Sequence, residues 1–125
     1  MDSVVHFEIP ADDFERAADF YREAFGWTIQ HMPDMQYTIV GTTESNDQGM
    51  PVNPGAINGG ISRRITPIVE HTVITIGVED IDKSIERISS LGGSAVGDKM
   101  QVGDMGWAAY FQDTERNVVG LWQNA

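Results

Sequence analysis

The stretch VHFEIPADDF at residues 5–14 is followed 67 positions later by TVITIGVEDI at residues 72–81. Each stretch opens with a short run rich in β-branched and other apolar residues, which is typical of a strand, and closes with an acidic turn. A glycine then ends each half of the pattern, at Gly26 and at Gly92. The sequence therefore predicts one strand–turn–helix unit that occurs twice in the chain.

The acidic turns predict where the two helices begin. Asp12 followed by Glu15 has the spacing of a capping box, so the first helix is predicted to start at Asp12, and Asp80 is predicted to cap the second. Apolar residues recur at helical spacing behind each turn and predict the helix faces that pack on a sheet. These are Phe14, Ala17, Ala18, Tyr21 and Phe25 in the first helix, and Ile81, Ile85, Ile88 and Leu91 in the second.

Three shorter strand-like runs follow each predicted helix. Together these elements predict an α+β fold of two tandem βαβββ modules, at about residues 1–64 and about residues 70–125 with a linker at 65–70 between them. Because 125 residues supply material for one hydrophobic core, both modules are predicted to form a single domain. The runs lie at residues 27–32, 36–40 and 55–61 after the first helix, and at 94–100, 107–112 and 118–123 after the second.

The composition narrows the choice of partners. The chain carries 19 acidic and 8 basic residues, and its formal net charge of −11 repels phosphate backbones and anionic lipid surfaces. We therefore expect neither nucleic acid nor a membrane as a partner. The absence of cysteine excludes disulfides, thiolate nucleophiles and Cys-based metal sites. Since the N-terminus shows no signal-peptide pattern and every apolar run is too short to cross a bilayer, a cytoplasmic location is expected.

Three strings resemble the vicinal oxygen chelate superfamily, which comprises glyoxalases, bleomycin resistance proteins and extradiol dioxygenases. The first string is the opening strand at 5–9 with the helix end DFYREAFGW at 19–27, and the second is GVEDI at 77–81. The third runs from 111 to 122, although its turn DTERN lacks the usual proline and glycine. The resemblance implies that the two modules form a half-open barrel around a cleft. It also implies a small organic ligand and a homodimer.

The resemblance also implies which positions would hold a metal. Metal-using members take one ligand from the first and one from the last strand of each module, and His6 stands at the first of these positions. Val73 and Gly120 occupy two others, and residues 49–69 contain no Asp, Glu or His for the fourth. Since three of four ligand positions lack a ligand, we expect a protein that binds a small molecule without the usual divalent metal or any other cofactor.

Two other functions stay open on the sequence. A shifted metal site of His6, Glu8 and His71 would allow a metal-dependent lyase, isomerase or dioxygenase. A ferredoxin-like interaction domain, with no cleft, is the second alternative. Whether the chain is an enzyme is therefore left undecided by its sequence.

The candidate ligand-binding residues are polar or aromatic and lie on or beside predicted strands. His6 is also the candidate catalytic residue, because a histidine titrates near neutral pH and can act as a general acid or base. For each tryptophan, closing the core between sheet and helix is an equally good interpretation. The ligand-binding set comprises His6, Glu8, Asn58, Trp107 and Trp122.

Overall fold

The computed structural model describes residues 1–64 and 68–125 and divides the chain into two compact units. The N-terminal unit comprises His6–Thr72, and the C-terminal unit comprises Met1–Val5 together with Val73–Ala125. The first residues join the C-terminal unit because the Ser3 carbonyl accepts a hydrogen bond from the Gly77 amide. The predicted linker lies partly outside the described residues, and a single shared domain stays a prediction.

The N-terminal unit places one helix on a four-stranded sheet of order β2-β3-β4-β1. Strand β4 runs parallel to β1, and β3 is antiparallel to both β2 and β4. The predicted strand at 55–61 begins later, at Gly59, because positive φ at Gly55 turns the chain away from an extended path. The elements are β1 (Val4–Ala11, in this unit from His6 onward), α1 (Phe14–Phe25), β2 (Thr28–Met32), a 3-10 turn (Pro33–Met35), β3 (Tyr37–Gly41) and β4 (Gly59–Arg63).

The C-terminal unit repeats this plan with strand order β5-β9-β8-β6, and β7 also pairs with β8. Strand β5 is parallel to β9, as β1 is to β4. The predicted strand at 94–100 is divided into two, because Gly97 with φ of 73° interrupts the extended chain. The elements are β5 (Val73–Gly77), α2 (Ile81–Ser90), β6 (Ser94–Ala95), β7 (Met100–Val102), β8 (Gly106–Gln112) and β9 (Val118–Asn124).

Each helix buries one face of the sheet in its own unit. Ala18 of α1 packs with Val40 and Ile61, and both sheet residues are fully buried. In the C-terminal unit Ile81 of α2 packs with Leu121. The α+β class with two strand–helix–strand modules is therefore confirmed, and neither described helix is long and apolar enough to span a membrane.

The predicted apolar stripes are wrong at their last positions. Phe25 is 64% exposed and Leu91 is 67% exposed, whereas residues nearer the helix starts are buried or half-buried. Phe25 is the last residue of α1, and Leu91 follows the last residue of α2. The chain leaves the helical path there, so helical spacing no longer determines which way a side chain points.

The start of α1 also differs from the sequence prediction. Asp13, not Asp12, is the N-cap, and its Oδ1 accepts a hydrogen bond from the Arg16 amide at 3.0 Å. Asp12 lies one residue before the cap and forms an exposed ion pair with Arg64 at 3.3 Å. The corresponding prediction for Asp80 is confirmed, since its carboxylate accepts from the Lys83 amide.

This correction can be tested by a pair of neighbouring substitutions. Asp13→Ala is expected to lower the free energy of unfolding by about 1 kcal/mol, because the helix loses its capping acceptor. Asp12→Ala serves as the control, with an expected loss below about 0.5 kcal/mol, because exposed ion pairs stabilise little. Urea unfolding followed by circular dichroism measures both, and a larger loss for Asp12→Ala would contradict the observed cap.

Candidate functional site

The sheet of the N-terminal unit has a polar face on the side opposite to α1. Phe7 and Ile61 point toward the helix and pack in its core. Successive side chains of a strand point to opposite faces, so His6 and Glu8 of β1 share the other face. We call this surface the polar face.

The strand register adds Tyr37 and Ser62 to the polar face. Glu8 pairs with Gly60 across β1 and β4, so Ser62, two positions further along β4, points the same way. Ser62 in turn pairs with Tyr37 across β4 and β3. We refer to the four side chains His6, Glu8, Tyr37 and Ser62 as the polar cluster.

A hydrogen bond joins the two ring side chains of the polar cluster. His6 Nε2 and the Tyr37 hydroxyl are 2.6 Å apart, and the two ring planes are inclined by only 18°. The tyrosine ring lies directly on Gly60, where an added Cβ would come within 1.9 Å of the hydroxyl oxygen. The absence of a side chain at residue 60 therefore allows the tyrosine to reach the histidine.

The surroundings keep both ring groups uncharged at neutral pH. Burial raises the pKa of Tyr37, and the negative charge of Glu8 raises it further. Burial also lowers the pKa of His6 below its ordinary value. The site thus combines a neutral phenol and a neutral imidazole with the buried side chain of Glu8, which is only 9% exposed. Such a pair can donate hydrogen bonds to a ligand or accept a proton from it.

Ser62 adds a buried hydroxyl to the same face. Its side chain is 7% exposed, and its Oγ has no hydrogen-bond partner in the described part of the chain. Burying a hydroxyl without a partner costs about 1–3 kcal/mol. The polar cluster therefore contains hydrogen-bonding capacity that the folded chain itself does not use.

Asn58, a predicted ligand-binding residue, is occupied in holding a loop. Its Oδ1 accepts from the Thr42 amide at 2.9 Å, and its Nδ2 donates to the Ser45 hydroxyl at 2.8 Å. Both ends of its amide group thus fasten the segment after β3 to the start of β4. A contact between Asn58 and a ligand stays a prediction.

The two predicted tryptophans lie on opposite faces of the C-terminal sheet. Trp107 packs against the core beneath α2, and the ammonium of Lys99 lies 5.0 Å from the centre of its ring. Trp122 pairs with Ala108 across β9 and β8, which places it on the face away from the helix. Its indole N–H donates to Asn124 Oδ1 at 2.8 Å. The two tryptophans therefore do not line the same sheet face. A ligand contact of either one stays a prediction.

The sequence pointed to His6 and Glu8 but not to Tyr37 or Ser62. Tyr37 is separated from His6 by 31 positions, and no local motif links them. The glycine pair Gly59–Gly60 was the available signal, because a glycine within a strand often marks the close approach of another group.

Comparison with known proteins agrees with this fold. Residues 3–43 match the family described as bleomycin resistance protein-like N-terminal. A glyoxylase-like domain-containing protein of Didymella fabae is 32% identical over 114 residues, which cover 88% of this chain and 84% of that protein. The chain belongs to the glyoxalase-like family of the vicinal oxygen chelate superfamily.

More distant relatives of this glyoxalase-like chain share its fold. A putative glyoxylase of Mycobacterium bovis is 27% identical over 123 residues, which cover 93% of the chain but only 43% of that relative. The chain therefore spans less than half the length of that relative. The crystal structure of methylmalonyl-CoA epimerase from Mycobacterium tuberculosis superposes with a TM-score of 0.64 at 15% identity, covering 98% and 87% of the two chains. At this identity the likeness establishes the fold alone.

Members of this superfamily often use a divalent metal, so a metal site would be expected among the His, Asp and Glu side chains of this chain. Within residues 1–64 and 68–125, no three His, Cys, Asp or Glu side chains come together as a metal site requires. His6, Glu8 and His71 all lie in these ranges, so the shifted metal site is not formed. His6 Nε2 is hydrogen-bonded to the Tyr37 hydroxyl instead. The described residues of this glyoxalase-like chain therefore do not fit a divalent-metal site.

Proposed function

We propose that this glyoxalase-like chain binds a small organic molecule at the polar cluster and does so without a metal. The observation that carries the proposal is the hydrogen bond between His6 and Tyr37 on the sheet face opposite to α1. The resemblance to the vicinal oxygen chelate superfamily implies that His6 stands at the first ligand position of its metal-using members, and in this chain the Tyr37 hydroxyl is hydrogen-bonded to His6 Nε2. The neutral pair supplies hydrogen bonds where those relatives supply a metal.

The burial of the polar cluster supports this proposal. Ser62 is less than a tenth exposed, and burying a polar group costs free energy unless it gains a partner. A wholly structural sheet face would be more stable with an apolar side chain at this position. The unused hydroxyl of Ser62 offers a hydrogen bond that a ligand could complete once side chains adjust. Homodimer formation and a cytoplasmic location stay predictions.

A fragment screen with three matched variants tests the binding site. Uncharged fragments that bind the wild-type chain in ligand-observed NMR are expected to lose roughly tenfold or more in affinity with His6→Ala and with Tyr37→Phe. His71→Ala is the control, since His71 is exposed and forms no hydrogen bond in the described part of the chain. Fragments that bind all variants equally, or a library without any binder, would refute the proposed site.

Metal content is a separate test of the same proposal. Tag-free protein, purified without chelator and then offered iron, zinc, nickel and manganese, is expected to retain far less than one metal ion per chain. Plasma mass spectrometry measures the retained metal. A near-stoichiometric metal that His6→Ala abolishes would establish a metal site and favour a metal-dependent enzyme.

A further inference from the structure

The two ring nitrogens of His6 differ in their contacts. Nε2 is hydrogen-bonded to the Tyr37 hydroxyl, whereas Nδ1 has no hydrogen-bond partner in the described part of the chain. The nitrogen available to a ligand at the proposed site is therefore Nδ1. A neutral imidazole carries one hydrogen, on either nitrogen, so its placement decides whether Nδ1 donates to a ligand or accepts from it.

We infer that Tyr37 is a positioning residue that donates its hydroxyl hydrogen to His6 Nε2 and thereby holds the single imidazole hydrogen on Nδ1. The site then presents an N–H donor to its ligand. The complementary ligand group is a hydrogen-bond-accepting oxygen, such as a ketone, amide or ester carbonyl. This inference rests on the proposed function for its ligand, but the state of His6 can be measured without any ligand.

The direction of the hydrogen bond follows from the two groups. An unprotonated imidazole nitrogen is a stronger acceptor than a phenol oxygen, and a phenol is a good donor. The separation of 2.6 Å between Nε2 and the hydroxyl oxygen is that of a short, strong hydrogen bond. Because burial and Glu8 both raise the pKa of Tyr37, the phenol keeps its hydrogen throughout the neutral range.

The charge of Glu8 selects among oxygen acceptors. Its carboxylate is buried on the same sheet face and acts on the Tyr37 hydroxyl from nearby. The same negative charge opposes the entry of a carboxylate or phosphate, and the net charge of −11 acts in the same direction. The ligand group is therefore an uncharged carbonyl rather than an anion.

The packing of Tyr37 keeps the donor in place. Its ring lies on Gly60, and the strand register places it beside Ser62 of the neighbouring strand. Because the ring rests on the neighbouring strand at Gly60 and its hydroxyl is hydrogen-bonded to His6, the hydroxyl keeps its direction toward His6. A tyrosine on a mobile loop would not control the histidine in this way.

Nitrogen NMR of histidine-labelled protein tests the inference directly. At pH 7.5 the wild-type His6 is expected to show a protonated Nδ1 and an unprotonated Nε2, identified by the signal missing in His6→Ala. Tyr37→Phe keeps the ring on Gly60 but removes the donor, so the hydrogen is expected to move toward Nε2. The exposed His71 serves as an internal control and should not change.

Each outcome has a definite meaning. A protonated Nε2 in the wild-type chain, or a His6 spectrum that Tyr37→Phe leaves unchanged, would overturn the inference even if the fragment screen succeeds. The wild-type spectrum decides this point should Tyr37→Phe fail to fold. Titration with N-methylacetamide is expected to shift the Nδ1 signal more than acetate does, and the reverse order would overturn the ligand class. Failure of the fragment screen with the expected wild-type spectrum would remove the proposed function alone.

Discussion

Ile61→Ala is expected to lower the free energy of unfolding by about 2–5 kcal/mol, the range for removing a fully buried isoleucine side chain. Ile61 has no exposed surface and packs with Ala18 and Val40 beneath α1. The cost combines the lost burial of three carbon atoms with the cavity they leave, since neighbouring side chains relax only in part. Guanidinium unfolding at equilibrium measures the loss.

Ile39→Ala is the matched control for this substitution. Ile39 lies in the adjacent strand β3, is 36% exposed and pairs with Gly60 on the polar face. The same chemical change there should cost below about 1 kcal/mol, because the side chain is already partly in water. Equal losses for both variants would show that the core of the N-terminal unit is not where the structure places it.

Gly60→Ala is expected to destabilise the chain by about 1–3 kcal/mol and to separate Tyr37 from His6. The added Cβ would lie 1.9 Å from the tyrosine hydroxyl oxygen and 2.0 Å from Cζ, so the ring must leave its position. Alanine is otherwise better than glycine within a strand by about 0.5–1 kcal/mol. A net loss therefore has to come from the displaced tyrosine. Urea unfolding measures it.

A double-mutant cycle with Tyr37→Ala isolates that cause. In the Tyr37→Ala background the methyl group of Gly60→Ala meets no ring, and the substitution should be neutral or slightly stabilising. The coupling between the two sites is then expected to exceed about 1 kcal/mol. Additive effects would mean that the Tyr37 ring does not rest on Gly60. The hydrogen on His6 should move toward Nε2 in Gly60→Ala, as in Tyr37→Phe.

Local patterns in the sequence were sufficient for the elements of the fold. The repeat at an offset of 67 positions, the cap at Asp80 and the helix end at Gly26 are all correct, because each depends on residues within a few positions of one another. The error at the start of α1 arises because two neighbouring residues satisfy the same local rule. Asp12 and Asp13 both suit an N-cap, and only the extended backbone at Asp13, with φ of −130°, settles which of them caps.

The candidate site was found only in part from the sequence. His6 and Glu8 lie two positions apart in one strand, so their shared face follows from the strand period alone. The sequence does not distinguish Trp107 from Trp122, because it does not state the register between β8 and β9. That register places them on opposite faces. One residue of register exchanges the two faces of a strand, and it is determined by the packing of the whole sheet.

By itself the sequence determined the repeated strand–helix pattern and the net charge of −11, since composition and local spacing suffice for these. The loss of three metal-ligand positions is what the resemblance to the superfamily implies. Only the tertiary structure brought Tyr37 to His6 and Ser62 to Tyr37, across 31 positions in the first case. The physical reason is that a parallel β1–β4 pair and an antiparallel β3–β4 pair must form in one register before these side chains share a face. Gly60 then leaves room for the tyrosine ring, and the polar cluster exists only once all three strands are in place.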